Sequence, residues 1–404
     1  NGKFAQFVID SGLVFIGPDP ETIRVMGDKA ESKKMMIDAG VPTIPGSDGE
    51  LSGNIDSIAR EIGYPLMVKA AAGGGGKGMR VVSSPDELES ALDAARNEAR
   101  NSFGNDTLIL EKFLDEPRHI EVQILGDNYG NIIHLYEREC SIQRRHQKII
   151  EESPSPAINN KIRKMMGDAA IKAAKVANYK NAGTVEFLYQ NGEFYFLEMN
   201  TRLQVEHGVT EMVCGIDIVK WQIKIAYGED LTLSQKDIKQ RGHSIECRIY
   251  AEDPSRNFLP TPGIIRKMIL PEGPGVRNDV GISEGQEVTS AYDPLLAKLV
   301  VWDSNRNSAI GRMDNALANF VILGLITNQP FLRDIMQNKS FQKCSFSTKF
   351  VDEHYANWTY SEVPTELVVA ALLGTKSSVN QPVQKSSRDP YSPWNRKGGW
   401  RQGN

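Results

Sequence analysis

A lysine and a run of glycines stand between two apolar stretches early in the chain. Lys69 lies near the end of residues 65–70, and Gly74, Gly75 and Gly76 belong to the four consecutive glycines that follow. Backbone N–H groups can wrap phosphate oxygens where no Cβ intervenes, and a lysine adds a point charge. No Gly-Lys-Ser/Thr follows, so the spacing does not match a P-loop. Taken alone, the pattern fits a phosphate-binding loop and a flexible hairpin equally well, and a flexible loop also suits a lid.

Oxygen-bearing side chains flank a predicted hairpin turn at Asn191-Gly192. This dipeptide supplies the two positive φ angles that a tight hairpin needs. Glu186 and Glu198 lie on the two arms, and Asn200 shares a face with Glu198 by the two-residue repeat of a strand. Magnesium prefers oxygen ligands, so the pattern predicts a metal cradle, with solvated rim carboxylates as the alternative. The apolar character of both arms favours the metal, because charges inside such strands need partners.

A dense group of polar and cationic side chains follows another predicted strand. Residues 143–148, Gln-Arg-Arg-His-Gln-Lys, contain four potentially cationic groups. In a chain of net negative charge they indicate a solvated loop or a local anion site, and alone they favour the loop. His119 with Glu121, and Glu246 with Arg248, share faces of predicted strands, a pattern that by itself is more often structural than catalytic.

Composition excludes several classes of protein. The 404 residues are 24% charged and 40% hydrophobic, which excludes collagen-like, disordered and disulfide-scaffold chains. The 47 Lys and Arg against 51 Asp and Glu give a net charge of −4, which argues against a nucleic acid or membrane partner. No apolar run approaches the length of a membrane span. Four widely spaced cysteines indicate buried thiols in a reducing compartment: Cys140, Cys214, Cys247 and Cys344.

The elements that must position these side chains form a mixed pattern. A helix at residues 4–11 and a buried strand at 14–18 are expected to be the tail of an α/β domain whose beginning is missing. A helical connector at 19–39 ends at Gly40. A small α+β module follows, with helices at 55–62 and 84–100 and strands at 65–70, 79–82 and 107–113.

Longer alternating strands come next and favour an antiparallel sheet. We expect strands at residues 119–126, 132–139, 183–189 and 193–200, interrupted by a helix at 161–177. A region rich in glycine and proline covers 241–292, and a helical run covers 308–337. Residues 375–404 are polar and predict a linker or part of a further domain.

Six separated motifs, in the family's own order over roughly residues 4–355, resemble the biotin carboxylase branch of the ATP-grasp enzymes. They are the glycine loop with its lysine, Glu111-Lys112-Phe113-Leu114, Arg118-His119-Ile120-Glu121, residues 143–148, residues 198–207 and Glu246-Cys247-Arg248. The tail, with Asp389-Pro390-Tyr391 and Gly398-Gly399-Trp400, is most similar to the region after the carboxylase in acyl-CoA carboxylase α subunits of the propionyl or methylcrotonyl type. The Ala-Met-Lys-Met segment that carries biotin does not occur, so the chain is expected to stop before a carrier domain.

The resemblance implies a fold in several parts. It implies α/β and α+β architecture, an ATP-grasp fold with a small glycine-rich lid and a biotin carboxylase C-terminal domain, and a truncated N-terminal α/β domain. The expected divisions are 1–25 for the tail of that N-terminal domain, 26–45 for the connector, 46–113 for the lid, 114–240 for the catalytic body, 241–356 for the C-terminal domain and 357–404 for a linker or following domain.

The resemblance also implies a reaction. The family carboxylates biotin with bicarbonate and ATP through carboxyphosphate, the first half-reaction of an acyl-CoA carboxylase. It implies ATP and magnesium or manganese, carrier-bound biotin as substrate, and a biotin carboxyl carrier domain and carboxyltransferase β subunit as partners in an oligomer. The compartment would be the cytoplasm of a bacterium or the mitochondrial matrix of a eukaryote. Because the missing domain lines the family's cleft, the chain alone is expected to be inactive.

Site residues carry over position by position. Lys29, Lys69 and the glycines would contact the phosphates, Glu111 and the backbone at Leu114 would hold adenine, and His119, Gln143 and His146 would line the nucleotide pocket. Glu186, Glu198 and Asn200 would serve the metal ions. Bicarbonate would be held by Lys148, Arg202, Gln204 and Val205. Glu206 would be the general base, and Arg248 would stabilise the biotin enolate.

Three positions depart from the family pattern. Gly208 stands where proline is usual after the Glu-His pair, and Ser153 and Ser155 stand where alanine is usual. Two other functions stay open: another ATP-grasp ligase, such as a carbamoyl phosphate synthetase, and a nucleotide-binding scaffold without catalysis. Intact Glu206, Lys148 and Arg248 argue against the scaffold. The sequence does not identify the acyl-CoA, the oligomeric state or the organism.

Overall fold

A computed structural model describes residues 1–47, 51, 55–71, 78–362, 365–366, 369–370 and 373. The predicted phosphate-contacting glycines Gly74, Gly75 and Gly76 lie outside these residues. The chain divides into two compact units, Asn1–Trp358 and Thr359–Asn404, and the elements below belong to the first. Within the described part, no helix has both the length and the apolar character that a bilayer crossing requires.

The helices of the first unit are α1 (Gly2–Asp10), α2 (Pro20–Gly27), α3 (Lys29–Asp38), α4 (Ile55–Ile62), α5 (Leu88–Phe103), α6 (Asn160–Val176), α7 (His207–Cys214), α8 (Ile218–Ala226), α9 (Arg306–Asn319), α10 (Gln329–Gln337), α11 (Lys339–Gln342) and α12 (Phe350–Tyr355).

The strands are β1 (Leu66–Ala70), β2 (Arg80–Val82), β3 (Leu108–Lys112), β4 (Arg118–Gly126), β5 (Ile132–Arg144), β6 (Gln147–Ser153), β7 (Asn181–Gln190), β8 (Glu193–Asn200), β9 (His243–Tyr250), β10 (Glu252–Asp253), β11 (Leu259–Pro260), β12 (Gly263–Ile264), β13 (Lys267–Ile269), β14 (Val276–Val280), β15 (Glu287–Val288), β16 (Leu295–Asp303) and β17 (Val321–Leu323).

Two expectations about single elements are wrong. Residues 14–18 are not a buried strand: Val14 is 69% exposed, and no described strand pairs with this segment. An apolar run without a neighbouring strand cannot satisfy its backbone as a sheet does. The helical run at 308–337 is divided, because β17 leaves the helical path after Phe320 and pairs with β13.

The lid is a three-stranded antiparallel sheet, ordered β2-β1-β3. Helices α4 and α5 contact the sheet, and the core between them includes Leu66, Val68, Leu92 and Leu110. Its elements follow the predicted positions, because their apolar repeats match the burial observed. A 3₁₀ turn, Pro85–Glu87, opens the second helix.

One antiparallel sheet of eight strands dominates the unit, in the order β14-β16-β9-β6-β5-β4-β7-β8. One core, which includes Ile245, Leu299 and Phe331, packs α9 and α10 against the β16–β9 end. A second core, which includes Ile120 and Phe187, packs α6 against β4 and β5. The sheet is continuous across the expected division at residue 240. It therefore brings side chains from distant parts of the sequence onto neighbouring strands.

Two glycines provide a matched test of the fold. A Cβ at Gly192 or at Gly311 would meet no atom within 4 Å, but Gly192 has φ +88° in the β7–β8 turn whereas Gly311 lies inside α9. Gly192→Ala should lower the free energy of unfolding by about 1 kcal/mol, because an L residue is strained there. Gly311→Ala should raise it by about 0.5–1 kcal/mol through helix propensity. Urea unfolding measures both, and changes of the same sign would contradict the assigned backbone conformations.

Candidate active site

A row of charged residues crosses four strands of the large sheet. Glu198 on β8 lies opposite Glu186 on β7, Glu186 lies opposite Glu121 on β4, and Glu121 lies opposite Arg138 on β5. Directly opposed residues project to the same face of a sheet. Asn200 Nδ2 donates to Glu186 Oε1 at 2.9 Å. The Asn191-Gly192 turn, which has φ values of +54° and +88°, joins β7 to β8, and a register shift between Phe187 and Glu186 brings Glu186 opposite Glu198.

The Lys148 ammonium lies among three carboxylates. Its Nζ is 2.5 Å from Glu121 Oε2, 2.9 Å from Glu186 Oε1 and 2.7 Å from Glu206 Oε1. Burial alone would lower the pKa of Lys148, but the carboxylates raise it well above its usual value. The lysine is therefore a permanent positive charge at the centre of the site.

Glu206 bridges the two cations of the site. It precedes the first residue of α7 and accepts from Lys148 through Oε1 and, at 3.0 Å, from Arg248 Nη2 through Oε2. Burial and nearby Glu121 would raise the pKa of Glu206, but Lys148 and Arg248 outweigh them and lower it. The carboxylate is thus ionised and able to accept a proton.

Arg248 is held from the other side by a second carboxylate. Its Nε donates to Glu151 Oε1 at 2.6 Å, and both side chains are buried. Arg248 lies on β9 and Glu151 on the adjacent β6. Lys298 on β16, opposite Arg248, donates to the Val205 carbonyl at 2.8 Å, so it fixes the backbone just before Glu206.

Sequence reasoning missed Arg138, which is fully buried beneath these groups. Its Nε lies 2.6 Å from Glu121 Oε1, and its Nη2 donates to Gln204 Oε1 at 3.0 Å. Its guanidinium also donates to Gln123, Thr184 and Thr210. Arg138 therefore joins three strands to α7. An arginine between Glu137 and Glu139 in a predicted strand was the available signal, but the irregular β4–β5 register conceals its partner.

A separate ion cluster joins the connector to the lid. Glu111 on β3 lies 3.0 Å from Lys33 and 2.5 Å from Lys69, and all three residues are buried. Burial opposes ionisation, yet the two lysines lower the pKa of Glu111 to about 2. Lys29, at the start of α3, lies 3.5 Å from Glu198. Sequence reasoning named Lys29, Lys69 and Glu111 but missed Lys33.

The remaining predicted residues differ in how closely they approach the centre. His119 is buried, with Nε2 2.9 Å from Glu186 Oε2, and Gln143 is buried on β5. His146 lies in the β5–β6 turn with φ +64°, and Leu114 follows β3. Arg202 is exposed, and its Nη1 donates to the Leu203 carbonyl, so the structure does not bring it to Lys148.

The donor set fits a hard divalent cation. Glu186 and Glu198 supply opposed carboxylates, and Asn200 supplies an amide on the same strand as Glu198. Ligand atoms of His119, Glu121 and Glu186 also lie within 4.8 Å of one another. Magnesium takes such oxygen ligands and shares them with nucleotide phosphates. Lys29, 3.5 Å from Glu198, is suited to the same polyanion.

The fold and this buried charge cluster define an ATP-grasp ligase. The model of the carbamoyl-phosphate synthase L chain, ATP binding domain, matches residues 28–234, and the biotin carboxylase C-terminal domain matches residues 246–353. The second match distinguishes the chain from a carbamoyl phosphate synthetase, and curated relatives agree with it.

The biotin carboxylase of Nostoc sp. is 53% identical over 356 residues, which cover 87% of this chain and 80% of the relative. The mitochondrial methylcrotonoyl-CoA carboxylase subunit alpha of Rattus norvegicus is 45% identical over 98% of this chain, which spans 56% of that subunit. The crystal structure of the Hydrogenobacter thermophilus 2-oxoglutarate carboxylase biotin carboxylase domain dimer has a TM-score of 0.86 and 49% identity, and covers 90% of this chain and 81% of that one. The chain belongs to the biotin carboxylase family, which confirms the resemblance and the fold class.

The Lys33–Glu111–Lys69 cluster gives a test in the lid. Glu111→Gln should lower the free energy of unfolding by about 3 kcal/mol at neutral pH, because two buried ammonium groups lose their counter-charge. In the wild type this stabilisation is present above the ordinary carboxyl pKa of 4.5 and is lost as the pH falls toward about 2. Urea unfolding between neutral and acid pH measures it. Exposed Glu61 provides the control, and equal effects of Glu61→Gln and Glu111→Gln would contradict the assignment.

Proposed function

We propose that this chain provides the active site for the ATP-dependent carboxylation of biotin by bicarbonate, through carboxyphosphate, in a full-length enzyme that carries out the first half-reaction of an acyl-CoA carboxylase. The observation that carries the proposal is the Glu206 carboxylate bridging Lys148 and Arg248. The solved Hydrogenobacter domain was bound to MgADP, ADP and bicarbonate, which is consistent with this assignment.

Bicarbonate activation is assigned to Glu206 and Lys148 acting together. Glu206 accepts the bicarbonate proton, and the resulting carbonate oxygen attacks the γ-phosphorus of ATP as ADP leaves. A carboxylate with a lowered pKa is a weak base, so the transfer requires that the dianion be stabilised as it forms. Lys148 supplies that charge, and Gln204, the Val205 backbone and Arg202 are proposed to hold the remaining oxygens.

ATP is proposed to bind between the lid and the large sheet. Lys29 and Lys69 now pair with Glu198 and Glu111, and a triphosphate would compete for both ammonium groups. Gly74, Gly75 and Gly76 would cover the phosphates, while Glu111, Leu114, His119, Gln143 and His146 would line the nucleotide pocket. A magnesium ion at Glu186, Glu198 and Asn200 would neutralise phosphate charge. Alignment of the reactants alone is worth about 7–11 kcal/mol.

Arg248 is assigned to the second chemical step. Once carboxyphosphate has formed, its cleavage releases CO2 and a phosphate that takes the biotin ureido proton. Negative charge then develops on the ureido oxygen, and the ureido nitrogen bonds to the carbon of CO2. A fixed guanidinium next to that oxygen stabilises the charge, and one such donor is typically worth about 10²–10³ in rate. The contact with Glu151 keeps Arg248 in place for this role.

The partners follow from the reaction. The biotin would arrive on a carboxyl carrier domain, and a carboxyltransferase β subunit would pass the carboxyl group to an acyl-CoA. The methylcrotonoyl-CoA carboxylase relatives favour this class of acceptor. We propose that the enzyme acts as an oligomer, as the dimer of the Hydrogenobacter domain suggests.

Isotope incorporation tests the function directly. The full-length enzyme, given labelled bicarbonate, ATP, magnesium and free biotin, should form acid-labile carboxybiotin and release one phosphate for each carboxylation. Without biotin, slow ATP hydrolysis should still require bicarbonate. Carbamoyl phosphate formation from ammonia would overturn the proposal in favour of another ligase. Nucleotide binding without turnover would overturn it in favour of a scaffold.

Arg248→Ala separates the two steps. Carboxybiotin formation should fall by at least about 10²-fold, because the enolate loses its donor. Bicarbonate-dependent ATP hydrolysis should stay within about threefold of the wild type, because Lys148 still holds Glu206. Arg266 is exposed and, like Arg248, lies within residues 246–353. The control variant Arg266→Ala should leave both rates unchanged. Equal loss of both activities in Arg248→Ala would refute the assigned role.

A further inference from the structure

Two buried carboxylates lie side by side at the edge of the site, and the proposed mechanism uses neither as a reacting group. Glu151 on β6 and Glu246 on β9 are opposed residues of an antiparallel pair, so their side chains are neighbours on one face of the sheet. Both are fully buried. Glu206 and Arg248 belong to the same cluster, which places the pair next to the proposed chemistry.

The two carboxylates differ in their partners. Glu151 Oε1 accepts from Arg248, whereas Glu151 Oε2 and both oxygens of Glu246 have no hydrogen-bond partner among the described residues. A buried ionised carboxylate without a partner is costly, and two adjacent ones also repel each other. The usual outcome is that such a pair shares a proton.

The charged groups that act most strongly on Glu246 come from three strands and the start of α7. Glu151 lies on β6, Arg248 on β9 itself, Lys298 on β16 and Glu206 just before α7. Burial, then Glu151, raises the pKa of Glu246 well above its usual value, and Lys298 and Arg248 oppose this only in part. Burial likewise raises the pKa of Glu151.

The backbone of α7 covers Glu246 closely. A Cβ on Gly208 would lie 3.1 Å from Glu246 Oε2 and 3.3 Å from Val300 Cγ2. Because Gly208 has no Cβ, it does not crowd the Glu246 carboxyl group. No described donor lies within hydrogen-bond distance of Glu246 to stabilise its ionised form.

We propose that Glu246 holds a proton in the working enzyme, so that the Glu151–Glu246 pair carries a single negative charge and holds Arg248 toward Glu206. Glu246 is then a positioning residue, and Glu151 is the ionised partner of Arg248. A second negative charge would draw the guanidinium toward the pair and away from Glu206 and the biotin oxygen. This inference rests on the proposed function.

Paired variants in the full-length enzyme test the inference through its pH dependence. In the wild type, carboxybiotin formation should fall at alkaline pH as Glu246 loses its proton. Glu246→Gln cannot ionise, so its alkaline limb should move up by at least one pH unit. Glu151→Gln should lower carboxybiotin formation by at least about tenfold, with bicarbonate-dependent ATP hydrolysis within about threefold of the wild type. If the rate of carboxybiotin formation by Glu246→Gln falls at the same alkaline pH as that of the wild type, the proposal is overturned.

Thermal unfolding provides a readout that needs no substrate. A carboxyl whose pKa is raised on folding keeps its proton while the unfolded chain ionises, so the folded state loses stability as the pH rises above the ordinary value of 4.5. The difference in melting temperature between Glu246→Gln and the wild type should therefore shift in favour of the variant by about 2 °C or more between pH 6 and pH 8. Exposed Glu284 provides the control Glu284→Gln, whose difference from the wild type should not change over that range.

The two readouts separate failure of this inference from failure of the function. If the wild type forms no carboxybiotin, the proposed function is refuted. The unfolding series would still test whether Glu246 is protonated in the folded state. A constant difference in midpoint between Glu246→Gln and the wild type would show that Glu246 is ionised in the folded state, and would overturn the inference even in an active enzyme.

Discussion

The contact between Lys148 and its three carboxylates is the interaction on which the rest of the structure depends. Removing a charge from water costs several kcal/mol, and only close, well-oriented counter-charges repay it. Lys148 obtains them from Glu121, Glu186 and Glu206, which come from two strands and the start of a helix. No single segment could supply that geometry. The continuous antiparallel sheet is therefore a condition for the charge cluster as well as a scaffold for it.

The cost of burying charge also explains the residues that surround the Lys148 cluster. Glu121 has two cationic partners, Arg138 at Oε1 and Lys148 at Oε2. Arg138 also donates a hydrogen bond to Gln204. Lys298 holds the Val205 carbonyl, which fixes the approach to Glu206. These contacts supply hydrogen-bond partners to polar groups in and around the buried site. The site is thus rigid where the reacting carboxylate must be placed.

The sequence predicted the local parts of this arrangement better than the distant ones. The Asn191-Gly192 turn predicted that the strands of Glu186 and Glu198 pair, and it sets their register as far as Phe187 and Phe196. The register shift beyond Phe187, which brings Glu186 opposite Glu198, was not predicted. Arg138 was missed because its pairing with Glu121 depends on a sheet register that shifts between residues 122 and 124. The predictions of a buried strand at 14–18 and of one continuous helical run at 308–337 were wrong for a similar reason, since an apolar run does not say which neighbour it will have.

The assigned roles of the site residues came from the resemblance, and their arrangement came from the fold. In the proposed reaction bicarbonate and ionised Glu206 together carry two negative charges before the proton moves, and carbonate with neutral Glu206 carries two after it. The proton transfer therefore leaves the net charge beside Lys148 unchanged. Because Glu206 is held from both sides, by Lys148 and Arg248, neutralising it frees both cations at once, one toward the carbonate and one toward the biotin oxygen. A single proton transfer can thus couple the phosphate side of the site to the biotin side.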